Sequence, residues 1–404
     1  MVLGNSMLFP IFPHIQEALH ITKLQASYMV TAFSIPAGLL IPFAGYLADR
    51  VGRRRVMAPA LLLFGLGALG AGLAAVMFPQ SYYLILAGRV VQGAGAAGMS
   101  QLAMVLAADI FQGKGRGGAL GILEAANGIG KMISPILGGL IGLVAWFLPF
   151  YLFAVLAFPL SLAVWFWVKE PKGNAVGRTF AAYAQELREI LRAKGVSLSV
   201  SIGNGMVILF LLFGTLFYLS ETLEKIYKVS EFNSGLVLAI PVSTLAITSY
   251  LTGRYLQQHR KLAKTAVGVG SLVVAIVLGA AGVLSNIWLQ VAVLGVLGVG
   301  GGLVLSSLNL LVTSSVEEKE RGMITSFYGG VRFLGVAGGP PLFGLASDYG
   351  SRVVFEGGAI LALVAGGLVY LLVNGRVLLQ PNDGGGKKQK AVFPKGSGGP
   401  KVKA

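Results

Sequence analysis

Cysteine is missing altogether from the 404 residues, so disulfides, thiolate nucleophiles and cysteine-held zinc or iron–sulfur centres are excluded together. Histidine is nearly missing: His14, His20 and His259 are scattered along the chain and suggest no metal cluster. Charge is scarce as well. Only 12% of residues are charged, where a soluble chain carries about 25%. Acids are the scarcer sign, 16 against 32 Lys and Arg, for a net charge of +16. What fills the chain instead is apolar: 55% of residues are hydrophobic and the mean hydropathy is +0.76. Such a composition suits a bilayer. With no nucleophile–base pair, metal set or phosphate-binding loop in view, an enzyme is not expected, nor any cofactor.

A transmembrane helix needs about 20 mainly apolar residues. Stretches of that kind run over 27–47, 56–78, 82–107, 118–143, 145–168, 197–219, 232–252, 264–285, 287–312, 323–346 and 353–375. A further apolar run from Met1 to Pro13 covers about 20 Å at 1.5 Å per residue, against a hydrocarbon core of about 30 Å. The first of twelve spans is therefore expected to be cut short. No basic segment precedes this run and no small-residue cleavage site follows it, unlike a signal peptide.

The location of the cations explains their excess. With both ends of the chain placed inside, 25 of the 32 fall in inner segments. Lys23, Lys225, Lys228 and Arg352 fall outside, and Arg89, Lys131 and Arg332 lie within spans. Cytoplasmic loops collect Lys and Arg, so both termini are expected in the cytoplasm, and no nucleic-acid partner is needed to account for +16. The segment 376–404 reads as a disordered basic tail drawn to anionic lipid.

The spans group into a bundle over 1–168 and a second over 197–375, joined by 169–196. Within that joint Phe180, Tyr183, Ala184, Leu187, Ile190 and Leu191 recur at helical spacing opposite Arg178, Glu186, Arg188, Glu189 and Arg192, the pattern of an interfacial amphipathic helix. Sliding the chain by 205 positions superposes Gly93 on Gly298, Gly95 on Gly300, Arg116–Gly117 on Arg321–Gly322, Gly130 on Gly335, Pro135 on Pro340 and Gly139 on Gly344. The halves are copies. The reading is an all-α membrane protein of twelve helices in two pseudo-symmetric six-helix bundles, an architecture in which the substrate binds between the repeats near the midplane.

The loop after the second span, Gly45-Tyr-Leu-Ala-Asp49-Arg50-Val-Gly52-Arg53-Arg54-Arg55, resembles the G-x-L-a-D-r-x-G-r-r signature of the major facilitator superfamily. Arg89 through Gln92, Gly93 and Ala97 in the fourth span is similar to the family's R-x-x-q-G-x-g-a-a. The fifth span carries Gly121, Gly130, Ser134-Pro135 and Gly138-Gly139, which looks like the signature of its drug/proton antiporters with Ser134 in place of a glycine. The resemblance implies that the loop latches the halves on the cytoplasmic side. It places Asp49 near Phe327 and pairs Arg53 with Asp109. It also implies proton coupling through Arg89, and a kinked fifth span packed on the eighth and linked to efflux. Some of these antiporters hold an acid in the first span, where this chain has Asn5.

Among the acids only Glu124 sits well inside a span. A desolvated carboxyl can cycle protons near neutrality, so Glu124 is a candidate proton carrier, with a structural role as the alternative. Arg89, Lys131 and Arg332 against Glu124 leave the interior at a formal charge of about +2, which favours an anionic or zwitterionic substrate if all four reach the cavity. Asn5, Gln92, Lys131 and Arg332 are the cavity candidates. Aromatics at Phe210, Phe213, Phe217 and Tyr218 read as a packing stripe or a pocket wall. The expected function is export of an amphiphilic drug or metabolite in exchange for protons, by a monomer in a bacterial plasma membrane. A uniporter or symporter of anions or metabolites, a lipid flippase of the same fold and a non-transporting sensor or scaffold remain the alternatives.

Overall fold

Hydrocarbon cannot hydrogen-bond a peptide group, so a chain this apolar must satisfy its backbone within helices. The computed structural model describes residues 3–111, 113–168, 179–317 and 320–379, and among the described residues every regular element is a helix. The first half contains α1 (Leu3–Ser6), α2 (Phe12–Leu19), α3 (Lys23–Val51), α4 (Arg53–Met77), α5 (Tyr82–Ala96), α6 (Ser100–Ile110), α7 (Gly113–Gly142) and α8 (Leu148–Trp167). The second contains α9 (Phe180–Lys225), α10 (Glu231–Gln258), α11 (Ala263–Val283), α12 (Ile287–Gly295), α13 (Leu297–Ser314), α14 (Arg321–Ala346), α15 (Ser351–Leu372) and α16 (Gly375–Leu379).

Several boundaries differ from the sequence reading. The first span continues to Leu19 and is broken, with a 3-10 turn at Phe9–Ile11 between its two helices. Pro10 and Pro13 lack the N–H that an unbroken helix would use there. The fourth and tenth spans are each interrupted, one between α5 and α6 and the other between α12 and α13. The amphipathic segment and the seventh span follow directly on one another within α9 as two helices that meet at Gly195, whose φ 54°, ψ −137° is not helical. A side chain would be strained at that angle, so glycine is required for the two pieces to join. Residues 169–178 of the joint lie outside the described residues. So do 380–404 of the basic tail, whose expected disorder gives way to α16 up to Leu379.

Nine of the described spans are long and apolar enough to cross a membrane by themselves. Helices α7 and α14 are not among these nine, although at 30 and 26 residues they reach about 45 and 39 Å. Both are glycine-rich, carry interior cations and lie between the halves, where lipid does not demand an apolar surface. The contacts between bundles run chiefly along two seams, α14 against α3 and α10 against α7.

Apolar helices gain no hydrophobic drive from meeting each other in lipid, so close packing at small residues must hold them. The 205-residue repeat marks where that packing occurs. A Cβ added at Gly93 would lie 2.1 Å from the carbonyl oxygen of Phe33 on α3, and one at Gly298 would lie 2.0 Å from that of Pro241 on α10. Gly95 and Gly300 make the matching approaches to α4 and α11. Across the seams a Cβ at Gly235 would meet the Pro135 carbonyl at 2.5 Å, and one at Gly330 would meet that of Gly38 at 2.4 Å. Gly121 differs from these, with nothing within 4 Å of its Cβ position.

Replacing Gly235 with Val is therefore expected to force α7 and α10 apart and to cost about 1–3 kcal/mol, read as a lower melting temperature in detergent. Gly121→Ala is expected to be neutral or to stabilise by up to about 1 kcal/mol. Equal melting temperatures for both variants would show that the seam yields freely.

Candidate functional site

Arg89 occupies the middle of the first bundle and is fully buried. Its Nε donates to the Met29 carbonyl at 3.0 Å, and Nη1 donates to the Gly4 carbonyl at 3.0 Å and to Gln92 Oε1 at 2.7 Å. Nη2 donates to Asn5 Oδ1, and the guanidinium lies 4.4 Å from the centre of the Phe33 ring. Asn5 in turn donates to Ser34 Oγ at 2.9 Å. One arginine thus joins α1, α3 and α5 with neutral acceptors. Two of the residues expected in a cavity, Asn5 and Gln92, are committed to this network.

The predicted gate residues gather where α3 meets α4. Gly52 takes φ 105°, ψ 146° at the junction, which turns α4 back without a gap of more than one residue. Arg53 bridges Asp109 on α6 and Asp49 on α3, the latter at 3.5 Å. Arg50 reaches the Tyr46 hydroxyl at 3.3 Å. Gly45 lies under Ser326 of α14, the neighbour of Phe327, with only 2.7 Å between its Cβ position and Ser326 Oγ. Asp49 also lies within electrostatic reach of Tyr183 on α9, a contact that the family resemblance does not supply.

The opposite end is closed by contacts between bundles. The Ser220 hydroxyl donates to the Phe9 carbonyl, and Gln16 bridges Glu221 and Lys225. His14 Nδ1 lies 2.8 Å from Glu231, and Lys23 binds Ser347 and Asp348. His14, Glu224 and Glu231 converge with ligand atoms within 4.8 Å of each other. Histidines that look isolated along the sequence are thus not all isolated in space. Phe9 and Phe12 meet Phe213 and Phe217 edge-on or tilted at 5.5–6 Å or so, while Phe210 packs on Phe343 and Tyr218 on Phe355. The aromatic stripe of the seventh span is packing, not a pocket wall.

Toward the basic end, from Gly121 to Ala126, helix α7 is exposed at every residue but Leu123, which is half-buried. Glu124 is on this stretch, exposed rather than enclosed. Asn127 and Lys131 continue the same face, three and seven residues on. Lys131 lies within electrostatic range of both Glu124 and Arg332. Arg332 stacks on Tyr328, 4.7 Å from the ring centre. Of the fifth-span signature, Pro135, Gly138 and Gly139 are used in packing: Pro135 touches α10, Gly138 meets the Met7 carbonyl and Gly139 meets that of Glu231. Ser134 is fully buried, and Gly130 is half-buried. Tyr328 and, on the turn of α9 packed against it, Asn204 were passed over by sequence reasoning. Their polarity amid apolar neighbours was the available signal.

Asn5→Ala strands a guanidinium donor in a buried site and is expected to cost about 1–3 kcal/mol. Thermal unfolding in detergent would measure this. Asn5→Asp, which offers the arginine a carboxylate, should keep the stability of the parent; loss in both variants would assign the effect to shape and not to the hydrogen bond.

The family model of the Major Facilitator Superfamily matches residues 1–340 and 217–398. The Bacillibactin exporter of Bacillus subtilis (strain 168) is 35% identical over 378 residues, covering 93% of this chain and 94% of that protein. The Multidrug efflux protein YfmO of the same strain is 27% identical over 382 residues, 89% of each. The fold is similar to a bacterial homolog of the human lysosomal transporter Spinster in an inward-facing and unoccupied conformation, with a TM-score of 0.74, 17% identity and 94% of each chain covered. It is also similar to the D-xylose-proton symporter, with a TM-score of 0.72, 16% identity, and 94% of this chain and 96% of that one covered. A multi-pass architecture of paired six-helix bundles, a loop signature folded into an Arg53–Asp109 contact and a family match along nearly the whole length lead to one assignment: the chain belongs to the major facilitator superfamily and is a membrane transporter.

Proposed function

We propose that this transporter is a secondary exporter of a bacterial plasma membrane, moving an amphiphilic metabolite or drug outward in exchange for protons. The observation that carries export is the likeness, along 93% of the chain, to a protein named as an exporter. Alternating access is supported by the unequal ends of the molecule, one closed by bonds between the bundles and the other carrying an exposed stretch of α7 from Gly121 to Ala126. The 25 cations of the inner segments favour a cytoplasmic position for both termini and for that exposed stretch.

In this reading Gly45, Asp49, Arg50, Gly52, Arg53 and Asp109 form the cytoplasmic latch. Its ion pairs hold α3, α4 and α6 as one body, so rocking of the bundles must move that body against α14. Glu124 carries the exchangeable proton. It stands exposed on α7 within the field of Lys131, where a carboxylate and a bound substrate can compete for the same cation. Arg89 takes part by holding α1, α3 and α5 in fixed relation, so that movement of one of these helices moves all three. The transporter works as a monomer with lipid around it.

Proteoliposomes loaded with fluorescent amphiphiles of anionic, cationic and neutral charge test this function. Asp49→Asn is expected to leave expression intact and to slow flux at least about tenfold, a barrier change of about 1.4 kcal/mol. Glu124→Gln is expected to export without regard to an imposed pH gradient. Normal flux in the first variant would remove the latch, and an unchanged pH response in the second would remove Glu124 from coupling.

A further inference from the structure

The interior cations differ in how they are satisfied. Arg89 has four hydrogen bonds to neutral oxygens. Lys131 and Arg332 have no ion pair at salt-bridge distance among the described residues, and Glu124 is the one acid found within electrostatic range of Lys131. Arg332 Nε is buried without a hydrogen bond. Close by, unpaired polar atoms accumulate. Asn204 on α9 is only 2% exposed, and neither its Oδ1 nor its Nδ2 has a partner. Gly205, the next residue, has its Cβ position 2.7 Å from the Tyr328 ring, so the turn of α9 that carries Asn204 packs on the aromatic platform on which Arg332 is stacked. On the facing half the Oδ1 of Asn127, one turn before Lys131, is also buried and unpaired.

Each such orphan costs about 1–3 kcal/mol, and an unneutralised cation at membrane depth costs more. Helix packing does not require any of them. Packing needs small apolar residues here, and the chain supplies these elsewhere on α7 and α14 at the glycines of the two seams. Two cations, an unpaired guanidinium donor and an unpaired amide donor around an aromatic face are complementary to anionic oxygens attached to a flat or apolar body. Lys131 belongs to the first half and Arg332 and Asn204 to the second, so an anion between them would join the two bundles.

We propose that Lys131, Arg332 and Asn204, with Tyr328 as the stacking surface, form the substrate site, and that it takes an organic anion presenting carboxylate or phenolate oxygens on an aromatic or aliphatic body. This rests on the exporter reading and gives its substrate a chemical class. Asn127 accepts a hydrogen bond from such a substrate or from its bound water. Glu124, on the same face of α7, competes with the substrate for Lys131 when it is ionised.

Binding to the purified full-length protein in detergent, with no gradient applied, separates this proposal from the coupling mechanism. The probes are 2-naphthoate and 2-naphthylmethylammonium, which share a ring system and differ in charge, and phosphatidylglycerol supplies the same anionic chemistry from a lipid headgroup. The expected result is that naphthoate binds and raises the melting temperature, the ammonium probe does neither, and phosphatidylglycerol fails to displace naphthoate. Lys131→Gln and Arg332→Gln should each weaken naphthoate about tenfold to hundredfold, while Lys131→Arg, which keeps the charge, stays within about threefold and shows that the site still folds. Undiminished naphthoate affinity in both Gln variants, tighter binding of the ammonium probe, or displacement by phosphatidylglycerol would each overturn the assignment. Naphthoate export that ignores the pH gradient would instead reject proton coupling and leave the site standing.

Discussion

Backbone in contact with backbone at glycine is the constraint on which this molecule depends. In lipid, two apolar helices exchange one hydrocarbon contact for another on meeting, so they hold together only where the fit is closer than lipid can offer. At Gly93, Gly235, Gly298 and Gly330 that fit leaves no room for a single methyl group. The rest of the design follows. The two seams, α3 with α14 and α7 with α10, are made of small residues and few directional bonds. Directional bonds between the bundles are concentrated at one end, where His14, Gln16, Ser220 and Lys23 meet their partners, while Arg53 and its two aspartates tie α3, α4 and α6 within the first bundle at the other.

Much of this was legible in the sequence, because its causes are local or repetitive. Span lengths follow from bilayer thickness, the copying of one half in the other follows from the 205-residue register, and the Arg53–Asp109 pair is what the family resemblance of the loop implies. The structure gives that register a physical meaning, since Gly93 and Gly298 make the same approach in opposite halves. What stayed hidden depends on neighbours distant in the chain. Nothing near Asn204 in sequence reveals that both its polar atoms are left unpaired, and nothing near His14 points to Glu224 and Glu231, more than 200 residues away. Breaks in the first, fourth and tenth spans escaped for another reason. Hydropathy registers apolar length but is blind to whether the backbone is continuous.

Arg89 illustrates how a motif can be recognised before its physics is understood. Alone in an apolar span an arginine suggests charge chemistry. Surrounded by two carbonyls, two amide oxygens and an aromatic face, it acts first as a mechanical joint. Among the described residues Lys131 and Arg332 make no ion pair, and the difference between them and Arg89 is a difference in the supply of acceptors. Burial alone therefore does not identify an interior charge as functional; the inventory of hydrogen-bond partners does.

The break at Gly195 inside α9 has a further consequence. The first turns of α9 place Phe180 and Tyr183 against Phe43 and Tyr46 of α3, and Lys194 donates to the carbonyl of Val377 in α16 at 3.2 Å. The connector is thus fastened to the first bundle at one point and to the second at another, with about 17 Å of stiff helix between Tyr183 and Lys194 and Gly195 as the joint beyond it. A short stiff helix tied at both ends and jointed at one residue couples the spacing of α3 and α16 to the number of residues between Tyr183 and Lys194.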